Sequence, residues 1–476
     1  MLAMKIILKN LGHIKKVECE VGDLTVLCGE NNAGKTQTMC ILYEWLTYVL
    51  NGRDYQKLRN QFCFNEKSRN RIKNSKQFSK FVKQYFNDES KYLRGDYISI
   101  PLEYISIEIF SGMLKIIVAD FVASRTNKDL PQNPDLSFEI DEDIFNNMKK
   151  MWVEYSSEDS KDAHDLFYMR NGALVTSAND GFSTAVLWVT GLLIYCYFID
   201  LLKIADIYIF TVERYGITMF SNELNIQQNA IIAHLIKNGK ATAEEIRNLM
   251  VGMEYPVPIT DNISFFTKEL KSKREDISFI VKEHPEILEF FEHICGGKIN
   301  FREYGIIDFT PHKSSKNISL QISSSSVRAM VHLGFYLYHL AKKGDILMID
   351  EPELNLHPAK QRLMAQIIAM LINVGVKVML TTHSDYVINE FNSLIMLKKQ
   401  KEKNPTKINK IMKKYGYSDL MLLDANQCKA TIAKNNNKGF AEFSKLEVDD
   451  FWGIDTTNFD DTIATMSDIK EQIITV

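Results

Sequence analysis

Little in this sequence is in excess, and each shortage removes a class of protein. Its 57 lysines and arginines are nearly balanced by 60 aspartates and glutamates, a net charge of −3. No overall basicity therefore marks a nucleic-acid binder, and any such contact must come from a local patch. Cysteine is sparse and scattered: Cys19, Cys28, Cys40, Cys63, Cys196, Cys295 and Cys428 form an odd set with no C-x-x-C pair. That argues against a disulfide framework or a zinc site and reads as reduced thiols in a cytoplasmic protein. Long apolar runs are lacking too. Phe182 to Ile199 is uncharged for 18 residues, the lower edge of a membrane span, but it contains Ser183, Thr184, Thr190 and Gly191 and has no basic flank. It reads as a buried helix, and no membrane is expected. The N-terminus has no long apolar region with a small-residue cleavage site, so no signal peptide is expected. No internal repeat and no low-complexity block occurs.

What is present is ordinary globular material: 476 residues, 45% apolar and 25% charged, enough for two or three packing units. Lys5–Leu8, Lys16–Val21 and Leu24–Cys28 read as strands, and a helical pattern continues after Lys35 through Met39, Leu42, Tyr43 and Leu46. Residues 97–122 alternate like strands, as in Tyr104–Phe110 and Lys115–Val118. A buried strand is expected at Ile207–Val212 inside a largely helical middle. Towards the far end, Ile318–Ser323, Ile346–Ile349 and Val376–Leu380 read as strands, and Val327–Lys342 and Pro358–Leu371 as helices. Strands alternating with helices at both ends predict an α/β fold whose sheet core is assembled from both ends of the chain.

Three motifs carry the chemistry. Gly29-Glu-Asn-Asn-Ala-Gly34-Lys35-Thr36 satisfies G-x-x-x-x-G-K-[ST] between a strand and a helix. Its backbone N–H groups and the helix N-terminus suit phosphates, Lys35 neutralises β/γ oxygens, and the Thr36 hydroxyl is placed for Mg²⁺. Asn32, Gly34 and Gln37 complete the expected nucleotide-binding set. Ile346-Leu-Met-Ile-Asp350-Glu351-Pro352 puts an acid at the end of a buried strand. Asp350 is expected to hold the metal and Glu351 to orient or deprotonate the attacking water. Thr381-Thr382-His383-Ser384 places His383 at another strand's C-terminal end, suited to sense a γ-phosphate. Upstream of Asp350, Ser323-Ser-Ser-Ser326 opens a helix with Arg328 one turn in, an anion site in pattern.

This order of motifs, extended by Glu353-Leu-Asn-Leu-His357-Pro358, resembles the ABC-type ATPase heads of the SMC, RecF and OLD group. The resemblance implies a P-loop ATPase head using ATP and Mg²⁺. It also implies that Ser324, Ser325 and Ser326 complete the site of a neighbouring copy, so the working unit is a head-to-head dimer or higher oligomer. Serines stand where that family's signature usually has glycines. Within the group the chain looks most like the OLD-like ATPases of anti-phage defence, through the same acidic run and through Phe210-Thr-Val-Glu213-Arg214-Tyr-Gly216-Ile, which is similar to their Pro-Ala-Glu-Arg-x-Gly-Ile segment with Thr-Val for Pro-Ala. OLD proteins carry a C-terminal TOPRIM nuclease. Here only Asp424 after Leu420–Leu423 stands near such a pattern, so the layout looks like that of the stand-alone ATPase subunits of PARIS-type defence. The partners this implies are a separate TOPRIM nuclease effector and a phage-encoded trigger, for which a DNA mimic is one candidate.

The expected divisions are therefore 1–50 with 95–125 as the P-loop lobe, 51–94 as a basic aromatic-rich helical insert, and 126–315 as a mainly helical insertion. Residues 316–400 form the second ATPase lobe and 401–476 a C-terminal extension with an acidic tail and no nuclease. The insertion shows no sustained heptads, which argues against long coiled-coil arms. Residues 53–94 carry twelve basic and four acidic residues, which suits a nucleic-acid backbone or its mimic. Phe78, Phe81 and Tyr85 fall there at helical core spacing, favouring a plain helix with a solvated basic face. A second basic run spans 398–414. A DNA-binding, RecF-like repair ATPase is the alternative function.

Overall fold

The computed structural model describes residues 4–11, 13–50, 75–86, 93–94, 97–101, 105–125, 135–139, 145–146, 167–170, 173–177, 204–220, 255–266, 277–302, 306–314, 316–436 and 439–455. The chain opens with β1 (Met4–Leu11), β2 (Ile14–Val21) and β3 (Leu24–Gly29), and α1 (Lys35–Leu50) follows the loop after β3. Next come α2 (Lys76–Tyr85), β4 (Leu93–Arg94), β5 (Tyr97–Pro101), α3 (Ile107–Arg125), β6 (Asp135–Glu139), β7 (Phe167–Arg170), β8 (Ala173–Ser177) and β9 (Ile207–Phe210). Then follow α4 (Val257–Ser264), α5 (Pro285–Cys295), β10 (Gly297–Phe301), β11 (Ile307–Pro311) and β12 (Ile318–Ser319). The last third holds α6 (Ser325–Ala329), α7 (Val331–Phe335), a wide π-type turn at Tyr336–Leu340, β13 (Ile346–Asp350), α8 (Pro358–Asn373) and β14 (Lys377–Thr382). It ends with α9 (Asp385–Lys403), α10 (Pro405–Tyr415), β15 (Cys428–Asn435) and β16 (Ala441–Leu446).

Nine of these strands form one mixed sheet in the order β6-β1-β2-β16-β15-β3-β14-β13-β9. The P-loop strand β3 runs parallel to β14 on one side and to β15 on the other, and β13 runs parallel to β14 and β9. In β13, successive residues serve opposite faces, as the strand period of two requires. Leu347 and Ile349 enter the large core beneath α8 and α9 with Leu24, Val26, Cys28, Val378 and Leu380. The alternate residues Ile346 and Met348 line a small cavity with Thr25, Met379, Leu42 and Leu46. Asp350 shares the parity of Met348, so it ends the strand on the side where α1 begins. That single register choice brings the Ile-Asp-Glu turn to the P-loop.

The sheet recruits more of the chain than the two ends. Strand β9 and the edge strand β6 come from the 126–315 segment, and β15 and β16 come from the 401–476 extension. The lysine and acid content of 428–446 concealed these last strands, yet Cys428, Ala430, Ile432, Ala433, Ala441, Phe443 and Leu446 are buried. The described part of 126–315 includes strands β6 to β11 as well as α4 and α5. The expectation of strands at Tyr104–Phe110 and Lys115–Val118 is corrected: they lie mostly in α3. The reason is that Ile105, Ile109, Phe110, Met113, Leu114, Ile117 and Val118 are buried at a helical period, which overrides the local β-branched alternation. Strands β4, β5, β8 and β7 make a separate small sheet, so 97–101 does not join the P-loop sheet. The strand expected over Ile318–Ser323 covers only Ile318–Ser319 and gives way to a 3₁₀ turn.

The aromatic residues of the basic insert pack inward where they are described. In α2, Phe78, Phe81 and Val82 are buried, and a Cβ on Gly112 of α3 would come within 2.9 Å of Phe81. The rest of 51–74, and the apolar stretch Phe182–Ile199, lie outside the described residues. No helix among the described residues is long and apolar enough to cross a membrane. Cys19, Cys28, Cys40, Cys295 and Cys428 are free, and burial pushes each thiol pKa up to about 12.

Candidate functional site

The loop Gly29–Gly34 turns with three left-handed residues: Gly29 (φ 117°), Asn32 (φ 58°) and Gly34 (φ 77°). Left-handed turns point consecutive N–H groups into a concavity, an anion nest that continues into the N-terminus of α1. Glycine is obligatory at 29, because a Cβ there would lie 2.1 Å from the Ala433 carbonyl oxygen of β15. At Gly34 a Cβ would strike Ile14 at 2.6 Å. Lys35 is buried, and its Nζ donates to the carbonyls of Gly29 (3.1 Å) and Glu30 (2.6 Å), curled over its own loop. Burial lowers its pKa, while Glu351, Asp350 and Glu353 work against that and favour the cation. Gln37 stands on the first turn of α1, partly exposed, and Thr36 and Asn32 are exposed.

Asp350 joins three elements at one carboxylate. Its Oδ1 accepts from Thr36 Oγ1 (3.0 Å) and from Thr381 Oγ1 at the end of β14. Its Oδ2 is buried with no hydrogen-bond partner. A fully buried carboxylate oxygen without a partner costs about 1–3 kcal/mol or more. Burial raises the Asp350 pKa, and the Thr381 and Thr36 hydroxyls oppose the rise. An anionic oxygen with no partner, beside the P-loop threonine, is the donor set a hard divalent cation takes. The residues present therefore fit Mg²⁺, with Thr36 and Asp350 to hold it.

Glu351 follows in a left-handed conformation (φ 47°) that a non-glycine residue seldom adopts. Its backbone N–H donates to Thr381 Oγ1 at 3.1 Å. Its carboxylate stays partly exposed, with Oε1 3.6 Å from His383 Nε2. Burial and the Lys35 cation hold the His383 ring below the ordinary histidine pKa, so at neutral pH this is a neutral imidazole beside a carboxylate. Glu353 braces the same corner. Its Oε1 accepts from Thr382 Oγ1 (2.7 Å) and the His383 backbone N–H (2.8 Å), fixing the turn that presents His383. Glu351 and His383, separated by a whole helix in sequence, thus meet at the rim of the P-loop.

Two contributors escaped the reading of the sequence as site residues. Thr381 was legible only as part of a motif. Arg214, noted there only for its resemblance, is buried at 3% exposure and donates to the carbonyls of Thr211 (3.0 Å), Asp350 (2.6 Å) and Glu351 (2.7 Å). Beside it, Tyr215 links outward: its hydroxyl accepts from Arg328 Nη2 (2.8 Å), and the guanidinium sits 5.1 Å from its ring centroid.

The signature serines stand apart from this cluster. Ser324 is the N-cap of α6, accepting from the Val327 N–H at 3.3 Å, and its hydroxyl lies 3.0 Å from Ser326 Oγ. Ser324 and Ser325 are exposed, and the preceding Ile322 is 78% exposed. Among the described residues, no hydrogen bond joins Ser324, Ser325 or Ser326 to the P-loop or to Asp350. Asp424 caps a short 3₁₀ turn by accepting from the Asn426 N–H, a local structural task.

A sequence model of the AAA ATPase domain family matches residues 1–388. No curated protein matches the sequence. Among solved structures, the chain is similar to an Smc head bound to the C-terminal winged-helix domain of ScpA, at 11% identity and a TM-score of 0.35, covering 94% of this chain and 98% of that one. It is also similar to a Pyrococcus furiosus Smc head domain with an extended coiled coil, bound to the C-terminal domain of ScpA, at 13% identity and a TM-score of 0.32, covering 99% of each. The matched residues 1–388 contain the P-loop, Arg214, the serines, the Asp350–Glu351 turn and His383, and the chain belongs to the AAA ATPase domain family.

Proposed function

We propose that this ATPase is an ATP-dependent molecular switch of the ABC-type head class, working between paired copies of itself in anti-phage defence. The observation that carries the ATP site is the junction at Asp350, where Thr36, Thr381 and an unpartnered buried oxygen converge. Bound Mg²⁺ supplies neutralisation of phosphate charge there. The residues of the chain do the rest. Lys35 leaves the carbonyls of its own loop for the β/γ-phosphates, and the Gly29–Gly34 turn wraps them with backbone N–H groups. Glu351 takes a proton from a water aligned with the γ-phosphate, and neutral His383 donates a hydrogen bond to that phosphate.

The exposed serines at the start of α6 complete the site of a second copy. ATP then acts as an adhesive between heads, and hydrolysis releases it. The role of the assembled heads is to hold a separate effector, a TOPRIM nuclease, until a phage-encoded trigger is sensed. Support for this finer reading is the resemblance of the Glu353–Pro358 run and of the Glu213–Arg214 segment to OLD-like defence ATPases, and a layout similar to AriA, the ATPase subunit of PARIS systems. The alternative, a RecF-like repair ATPase, draws on the exposed Lys407, Lys410, Lys413 and Lys414 of α10.

The test is to purify the Glu351→Gln protein with ATP from cells carrying its native gene neighbourhood. A stoichiometric nuclease-like protein, absent from Lys35→Ala preparations, is expected. DNA alone, released by salt, would replace this reading with the repair clamp.

A further inference from the structure

The hydrolytic turn is held in an unfavourable shape, and the structure names what holds it. Glu351 sits at φ 47°, a conformation that costs a non-glycine residue of order 1–2 kcal/mol. In that conformation two successive carbonyls, of Asp350 and Glu351, point to the same side. Both are met by one group: Arg214 Nη1 reaches Asp350 O at 2.6 Å and Nη2 reaches Glu351 O at 2.7 Å. The guanidinium is tied to the sheet as well, since the same Nη1 also donates to Thr211 O, just after β9, the strand paired in register with β13. The fork geometry of arginine suits two carbonyls on adjacent residues. A lysine ammonium, a point donor on a flexible stem, holds them less well.

Arg214 is buried, its pKa lowered chiefly by that burial, and among the described residues it makes no salt bridge to a carboxylate; its charge is balanced at longer range by Asp350, Glu353 and Glu351. A buried cation satisfied by backbone carbonyls is a costly arrangement, and here it falls on the two successive peptide carbonyls of the metal-side acid and the hydrolytic acid. We propose that Arg214 is a positioning residue for hydrolysis: it clamps the Asp350–Glu351 peptide so that the Glu351 carboxylate faces the γ-phosphate position beside His383. This rests on the reading of Glu351 as the group that activates water. Arg214 touches neither nucleotide nor metal in this account. Its loss therefore moves the chemical step and leaves ATP affinity near its starting value.

The experiment compares the unmodified chain with Arg214→Met, Arg214→Lys, Glu351→Gln and Arg214→Met with Glu351→Gln, measuring steady-state ATP turnover, fluorescent-ATP affinity and hydrogen exchange of the 346–356 segment. The clamp predicts a fall in kcat of about 10- to 100-fold for Arg214→Met. Arg214→Lys falls between that and the unmodified chain, and ATP affinity changes by less than about threefold. On the Glu351→Gln background the same change costs nothing further. It also predicts faster exchange confined to 350–354, with α1 unchanged. Equal losses on both backgrounds, an unchanged kcat, or ATP affinity falling in parallel would overturn it. Should Arg214→Met fail to fold, Arg214→Lys carries the comparison. Should the unmodified chain bind ATP without turning it over, the hydrolytic reading fails by itself. The exchange measurement then decides the clamp: local loosening supports it and uniform protection refutes it.

Discussion

The two halves of the proposed nucleotide site are built to opposite specifications. The phosphate half is largely buried and cross-braced: Thr36, Asp350, Thr381, Arg214 and Glu353 come from four different stretches of chain and bond to one another's side chains and turns. The signature half is a short exposed helix start whose serines bond mainly to each other and to their own helix. Apart from Lys35, whose ammonium is curled over its own loop, such a preorganised half needs little reordering when charge arrives. An exposed half, with Ser324 and Ser325 at the surface, is open to a group that comes from outside the chain. On the function proposed above, the contrast is between a binding face braced within one chain and an exposed face that a second copy would use.

Breaking the phosphate half is expected to have the largest effects. Glu351→Gln keeps the shape but removes the base, and turnover should fall about 10²- to 10⁴-fold with ATP affinity retained, as read by phosphate release and nucleotide titration. Lys35→Ala removes the charged donor to the β/γ oxygens and should weaken ATP about 10- to 100-fold in the same titration. Were Lys35→Ala to bind ATP normally, the P-loop assignment would fall.

Breaking the signature half should leave a single chain's affinity almost intact. Ser325→Arg places a bulky cation on the exposed face, and ATP-dependent association should weaken at least about tenfold by light scattering. An equal loss of ATP affinity in the isolated chain would show that the two halves are not separate.

A smaller effect compares the two ends of β13. Asp345 precedes the strand, buried, with Oδ2 accepting from the Tyr336 hydroxyl (3.0 Å) and the Lys342 N–H (2.8 Å). Burial pushes its pKa up from 3.8 to about 7. The folded chain thus keeps a proton that the unfolded chain releases. This contribution to stability is full below pH 3.8 and is lost as pH rises towards about 7, on the order of 2–4 kcal/mol. Thermal melts across that window should fall less steeply in Asp345→Asn. An identical slope in both proteins would place the proton elsewhere.

Much of the phosphate half was legible because its chemistry is tied to local order: a strand, a glycine turn and a helix for the P-loop, and four apolar residues before Asp350. His383 was legible for the same reason. Arg214 was not, because its partners are backbone carbonyls 136 and 137 residues away, and no residue type in the sequence announces a carbonyl. The central strand β15 was hidden as well. Lys429 and Lys434 break its apolar run, while its pairing with β3 is a long-range choice that local pattern does not reveal. In 104–118 the local alternation pointed the wrong way, since Ile and Val at helical spacing look strand-like in short windows.

The central claim is that each site is shared between copies, and complementation tests it most directly. Lys35→Ala retains a sound signature face, and Ser325→Arg retains a sound P-loop; each alone should be inactive. Mixed in equal amounts with ATP, half of the dimers would pair one intact P-loop with one intact signature, restoring about a quarter of the unmodified turnover. Turnover that stays at the level of the separate variants, with mixed dimers demonstrated by mass, would contradict the account.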